Sequence, residues 1–421
     1  MNSDLQEAWA LAEAGDVSGL MNHLRSTVDR LAVADTAPLV RRVAELTGFA
    51  DLAEAAAAVS ADPGGSRALY AYGYACVERG ASFLAVPALR AALRREPGSP
   101  VILRELVTAF EDEYRHGEAV SVLSEHEAVL TPWPDRYLLA YNALMSGDVD
   151  RAAVEADGLP FPEDEFWLPA RGRLSGMLAR AREARALGRL GPRDLRGWHF
   201  ALTGGVLATL SPFGVDQGMN GRYAYLNDDF GACLYGLRRL RTVLEAAGRT
   251  PKTVSLLPGR GDLALGLAAS QVLGLPAEPF APGRTDTVVI AYDLANVGDL
   301  VVDLYERAAG QILYEHATCW TEPPQVSADV STLLCQMLVA PWDEKMYITP
   351  DGDMARSPAD DREAEELAAE ILRATPTPDE LPSDTDEELA RFVAGIAPMW
   401  PADGTRDRVR SAGPVPSSRF R

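Results

Sequence analysis

The chain has 421 residues, 47% of them hydrophobic and 24% charged, which is length enough for two or three domains that each bury a core. That composition excludes a wholly disordered chain, and no run of apolar residues is long enough to cross a membrane. Forty basic against 61 acidic residues leave a net charge of -21, so neither nucleic acid nor an anionic membrane is an expected partner.

Met1 to Glu7 place no basic stretch ahead of an apolar core, so no secretory signal is expected and the cytoplasm is the expected compartment. The four cysteines, Cys76, Cys233, Cys319 and Cys335, have no CxxC spacing and read as reduced, mostly buried thiols. The five histidines are equally scattered, so spacing predicts no metal site.

Residues 1–190 are rich in Ala, Leu, Glu and Arg, with turn signals about every 30 to 35 residues, the mark of a helical repeat. The clearest unit runs from Ser66 to Ser99. Leu69, Tyr72, Gly73 and Cys76 line one face of a first helix, Gly80 opens a turn, and Ala85, Leu89 and Ala92 lie on a second helix closed by Pro97. The windows Pro100–Pro132 and Pro134–Pro160 keep Leu103, Leu106, Ala119 and Leu123, then Leu139, Ala143, Gly147 and Ala152; in the former the turn glycine is displaced to Gly117. Weaker copies surround Gly15 and Gly48. This pattern resembles the tetratricopeptide repeat, with small residues Gly73 and Ala85 where its two helices cross. The resemblance implies a solenoid that holds a protein or peptide in a groove. Tyr70, Tyr74, Arg104 and Tyr141 are the groove-facing candidates.

From Arg193 the composition turns to glycine, aromatic and β-branched residues. Gly197–Leu207 reads as strand, turn and strand, followed by a glycine- and asparagine-rich loop whose Asp216, Asn220, Arg222 and Tyr223 are pocket candidates. A helix is expected over 228–247, then strand 253–257, helix 263–273, strand 287–293, helix 300–309, a strand near 311–314 and a helix over 328–338. This alternation predicts a mostly parallel sheet with helices on its faces, and a working site at the carboxyl ends of its strands. Two glycine-bearing loops fall there. One is Pro258-Gly259-Arg260-Gly261-Asp262, suited to an anion at a helix N-terminus; the other runs from Asp293 through Asn296 and Gly298 to Asp299. Asp262 and Asp299 read most simply as helix caps.

The stretch from Thr253 to Gly310 resembles the core of a type I phosphoribosyltransferase. The resemblance implies that Gly259 to Asp262 grip pyrophosphate, and that the second loop cradles a ribose 5-phosphate, with Mg accompanying such a ligand. Two departures count against catalysis. Tyr292 replaces the first of two acidic residues, leaving Asp293, and Val297 and Leu300 stand where hydroxyl side chains would hold phosphate. Gly298 alone is kept in that loop. No catalytic residue, cofactor or metal ligand is therefore assigned. Ser211, Ser255 and Ser270 lack a GxSxG setting; Cys319 beside His316 reads as a packed thiol, and Asp228-Asp229 as caps more than as metal ligands.

From residue 349 the chain is acidic and proline-punctuated, with fourteen acidic and three basic residues between Asp351 and Glu388. Amphipathic helices are expected over 360–373 and 384–396, docked on the chain's own domains, and the last twenty residues are expected to be disordered. The sequence thus reads as a helical repeat domain (1–190), an α/β domain (193–348) and an acidic tail (349–421). Its expected role is a non-catalytic adaptor that binds protein. The alternatives are an active phosphoribosyltransferase or sensor of a phosphorylated ligand, and a structural subunit of an oligomer.

Overall fold

The computed structural model describes residues 2–213, 219–349, 352–376, 384–402 and 404–417. It divides into two compact units, one ending at Arg171 and the other beginning at Gly172.

The first unit is a succession of antiparallel helix pairs: α1 (Ser3–Ala14) with α2 (Val17–Thr27), α3 (Val33–Thr47) with α4 (Ala50–Ala61), α5 (Ser66–Glu78) with α6 (Ser82–Arg95), α7 (Pro100–Asp112) with α8 (His116–Glu125), and α9 (Tyr137–Met145) with α10 (Val149–Asp157). Each pair turns through one residue in the left-handed region: Gly15, Gly48, Gly80, Tyr114 and Gly147. A residue without Cβ takes that conformation freely, which is why four of the five are glycine. The second helix of a pair packs on the first helix of the next, α4 on α5, α6 on α7 and α8 on α9, so one apolar core runs from Ala8 to Leu139. Gly117 is not the turn; it lies inside α8, and Tyr114 holds the turn at φ 54°.

At Gly73, α5 and α6 approach closely. A Cβ built there would lie 2.5 Å from Leu89 Cγ and 2.7 Å from its Cδ2, so only glycine lets α5 meet α6 at this distance. Gly73→Ala is expected to cost about 1–3 kcal/mol through overpacking, read by denaturant unfolding. A loss below about 0.5 kcal/mol would mean that Leu89 relaxes freely.

Helix α11 (Leu168–Ala186) leads into the second unit, and α12 (Leu195–Thr203) follows it. The expected strand over 197–203 is thus a helix. Asp194 caps it, accepting from the Gly197 N–H at 3.1 Å, and Gly204 ends it in the left-handed conformation. Next come β1 (Val206–Leu207), β2 (Tyr223–Asn227), α13 (Phe230–Ala246), β3 (Thr253–Leu256), α14 (Arg260–Leu273), β4 (Ala277–Pro279), β5 (Thr287–Ala291), α15 (Leu300–Tyr305), β6 (Ile312–Cys319) and β7 (Val330–Val339). The helix expected over 328–338 is therefore a strand, flanked by β6 on one side and by β1 and β2 on the other. Its residues 330–335 are all buried, so the run lacks the alternation of a half-exposed strand.

Every ladder in the seven-stranded sheet is parallel, in the order β1-β7-β6-β5-β3-β4, with β2 continuing the β1 edge along β7. The chain runs from β3 outward to β4 and then returns to β5 on β3's other side. The carboxyl ends of β3 and β5 thus form the switch point at which parallel sheets hold ligands.

A hairpin, β8 (Lys345–Ile348) and β9 (Met354–Ser357), precedes α16 (Ala364–Arg373) and α17 (Asp386–Ile396). α16 packs on α14 and α17 on α13, so both acidic-tail helices complete the layer on one face of the sheet. The last residues are not disordered over 404–417. Arg406 is fully buried, as is Trp400 just before this stretch, and Val415 is 2% exposed. Among the described residues no helix is long and apolar enough to cross a membrane.

Candidate functional site

At the switch point the two predicted loops meet. Gly259 opens α14, and Asp262, three residues on, does not cap that helix but accepts the Tyr292 N–H at 2.7 Å, tying α14 to the end of β5. Burial pushes the Asp262 carboxyl up to about 6, against the pull of that hydrogen bond and helped by the nearby Asp293 charge. Arg260 is exposed and donates to the Arg362 carbonyl at 2.8 Å. The Trp342 ring lies against Gly261, where a Cβ would come within 2.4 Å of it, and 4.7 Å from the Tyr292 ring. The Tyr292 and Trp342 rings thus pack together at this crevice, and the Asp262 carboxyl lies beside Gly259 at the start of α14.

In the second loop Asp293 accepts from the Ala295 N–H at 2.9 Å and from the Asn296 amide at 3.1 Å. Gly298 is left-handed at φ 61°, and Asp299 makes no side-chain cap. Val297 and Leu300 pack into the apolar cluster beneath the sheet.

Asp262 offers a pH test. Its pKa is raised on folding, so the folded state holds its proton longer and stability falls as pH rises from about 4 to about 6, then levels. Asp262→Asn keeps an acceptor for the Tyr292 N–H and removes the titration. It is expected to unfold like the parent at pH 4 and to be more stable at pH 7, by on the order of 2–3 kcal/mol. Parallel pH profiles for the two proteins would refute this.

A second group of polar side chains lies deeper, where sequence spacing gave no sign of it. Asp228 follows β2, Cys233 sits in the first turns of α13, and His316 points from β6; all are buried. Asp229 caps α13 through the Ala232 N–H at 2.8 Å, but Asp228 does not cap. Its Oδ2 instead lies 3.0 Å from His316 Nε2, 2.8 Å from the Tyr292 hydroxyl and 3.5 Å from Cys233 Sγ. Burial raises the Asp228 pKa, but the His316 charge and these hydrogen bonds outweigh it and hold the carboxyl below its usual value. Cys319 is not paired with His316; its thiol meets Thr321 and the Gln336 carbonyl.

The glycine-rich loop leads elsewhere. Asp216 lies outside the described residues. Asn220 donates to the Pro416 carbonyl at 2.7 Å, Arg222 donates to the Ala412 and Val415 carbonyls at 3.0 and 3.2 Å, and Tyr223 begins β2. Arg222 also lines a recess with His199, Glu315 and Trp320, with about 650 Å³ of empty space including the part open to solvent. Burial lowers the Arg222 pKa to about 10 and the His199 pKa to about 4. Arg222 Nε and His199 Nε2 are both shielded from solvent without a hydrogen-bond partner. The Glu315 carboxyl, fully buried, is raised well above its ordinary value.

In the helical unit, Tyr70 and Tyr74 neighbour each other on α5 with their rings tilted by 33° and their centroids 6.2 Å apart, and Tyr74 is 45% exposed. Arg104 forks onto Asp135 at 2.7 and 3.1 Å, and Tyr141 stacks on Tyr137. Burial raises the Glu105 pKa, and the like charges of Glu78 and Asp112 add to it.

No family model and no curated protein matches the chain.

Proposed function

We propose that the chain is an adaptor of the cytoplasm that holds a protein segment on the first helices of its tetratricopeptide-like pairs, with an α/β unit that resembles a phosphoribosyltransferase but does not catalyse. The observation that carries this reading is the face of α5 and α7, where Tyr70 and Tyr74 stand among Glu78, Glu105 and Asp112, which load one another with like charge. A basic segment relieves that repulsion and lays its alkyl stems on the tyrosine rings. Residues 1–171 carry 27 acidic against 14 basic residues, in keeping with a cationic partner. The aromatic rings packed at the switch point, the use of Asp293 as a turn cap and the apolar Val297 and Leu300 support the absence of transferase chemistry.

The test is peptide selection on the immobilised full chain, repeated with Tyr74→Ala and Glu105→Arg. Enrichment of Lys- and Arg-bearing peptides that is lost in both variants is expected. Enrichment indifferent to both changes would sink the reading.

A second reading, a sensor of a phosphorylated ligand, is favoured by Arg222, a buried guanidinium that bonds backbone carbonyls and, among the described residues, has no carboxylate partner, beside a partly open recess. Calorimetric titration with phosphoribosyl pyrophosphate and Mg separates the sites. Heat lost in Asp293→Ala would point to the switch point and revive the transferase; heat lost only in Arg222→Gln would point to the recess. A defined oligomer in light scattering would favour the structural-subunit alternative.

A further inference from the structure

We infer that Asp228, Cys233 and His316 bind a tetrahedral transition-metal ion of the zinc type. The three donor atoms face one another across edges of 3.0, 3.5 and 3.8 Å. Metal bonds of about 2.3 Å to sulfur and about 2.0–2.2 Å to nitrogen and oxygen, at tetrahedral angles, give edges of roughly 3.4–3.6 Å. One thiol, one imidazole and one carboxylate form a donor set suited to zinc and unsuited to magnesium or calcium, which take oxygen alone.

Hydrogen bonding explains the cluster poorly. Three donors, from His316, Tyr292 and Cys233, converge on Asp228 Oδ2. The other oxygen of the same carboxylate, Oδ1, is buried and meets no side-chain partner among the described residues, while the adjacent Asp229 N–H acts on the carboxylate. A buried carboxylate that crowds one oxygen and starves the other is an expensive arrangement among hydrogen bonds alone. It is the expected arrangement when Oδ2, a thiolate and an imidazole nitrogen share a cation.

The surroundings are built for such a site. With Nε2 on the metal, His316 Nδ1 carries the proton and faces the Tyr314 hydroxyl at 3.3 Å, which itself accepts from Thr332 at 2.9 Å. Histidine ligands are commonly oriented by a partner of this kind on the second nitrogen. Gly236, one turn beyond Cys233 on α13, lets the helix come this close to β6. A Cβ there would meet Tyr314 Oη at 2.7 Å and His316 Nδ1 at 2.8 Å. Lys345 fixes the junction by donating to the Asp228 carbonyl at 2.7 Å. Three protein donors leave one tetrahedral position for water or for the Tyr292 oxygen. The ion would bolt the start of α13 to β6, next to the switch point.

The experiment uses the full chain, stripped with chelator and titrated with Zn(II), then with Co(II) as the spectroscopic probe. One ion per chain is expected, with the visible bands of tetrahedral cobalt and a near-ultraviolet sulfur-to-cobalt band. Cys233→Ser should remove the sulfur band, while Cys319→Ser should keep it. Tyr314→Phe, which leaves every ligand in place, should weaken binding about 10–100-fold. Should Cys233→Ser fail to fold, the parent's own cobalt spectrum and metal content decide the matter. Folded parent protein that takes up neither ion, or a sulfur band that persists in Cys233→Ser, would overturn the assignment.

Discussion

Asp384→Ala is expected to cost about 3–5 kcal/mol and to loosen α17 from the sheet layer, because it strands the buried Arg196 guanidinium and leaves the buried Arg239 with the exposed Asp386 carboxylate as its counter-charge. Arg196 on α12 and Arg239 on α13 are 2% and 0% exposed, and both bond Asp384 Oδ1. The carboxylate's other oxygen accepts the Leu210 N–H at 2.7 Å. Both guanidinium groups also donate to the backbone at the end of β1, Arg196 to the Leu207 and Ala208 carbonyls and Arg239 to Ala208, and Arg239 Nη1 reaches the exposed Asp386 carboxylate at 2.8 Å, so neither arginine can swing out to water without breaking backbone contacts. One acidic residue of the tail therefore joins α12, β1 and α13 to the helix that follows it. Denaturant unfolding measures the loss, and hydrogen exchange at Leu389 and Phe392 reads whether α17 opens first. A loss below about 1 kcal/mol, with unchanged exchange, would mean that the arginines find other partners.

That dependence bears on what the sequence disclosed. The parallel α/β layer was legible because Thr253–Leu256 and Thr287–Ala291 are apolar runs followed by glycine-bearing loops. α13, α16 and α17 were legible from their apolar periodicity. The repeat phase showed through Gly15, Gly48, Gly80 and Gly147, and Tyr114 hid the fourth turn because a tyrosine rarely signals a left-handed residue. β7 was misread because Leu333, Leu334 and Leu338 fall at helical spacing in a strand with little alternation. α12 was misread because Trp198, His199 and Phe200 have strand-like propensity, although Asp194 three residues before Gly197 was a usable cap signal. The Asp228, Cys233 and His316 cluster was out of reach, since its members come from the end of one strand, a helix and another strand. Only folding makes them neighbours.

Asp329→Asn is expected to cost a similar 3–5 kcal/mol, and here the pH dependence identifies the cause. Asp329, 2% exposed at the entry to β7, takes Arg307 on Oδ1 and Arg406 on Oδ2, at 2.5 and 3.0 Å, and also accepts the Leu313 N–H at 2.8 Å. Arg406 continues to the Leu304 carbonyl at 2.8 Å and the Gln311 side chain at 3.1 Å, so this guanidinium helps to anchor the chain after α17 on α15 and β6, together with the Tyr305 hydroxyl, which donates to Asp407 at 2.9 Å. Burial alone would raise the Asp329 pKa, but the charges of Arg406 and Arg307 outweigh it and hold the carboxyl below its ordinary value. A depressed carboxyl pKa contributes stability that is full above the unfolded value and fades as pH falls through the folded one. The stability gap between parent and variant should therefore hold steady from pH 7 to about 4 and narrow below that. Arg406→Met alone should cost less than Asp329→Asn, since Arg307 still balances the carboxylate. If Asp329→Asn and Arg406→Met have independent, additive effects, the two residues do not act as a pair, and the anchoring of the C-terminal residues rests on packing and on their other hydrogen bonds, such as those from Arg222.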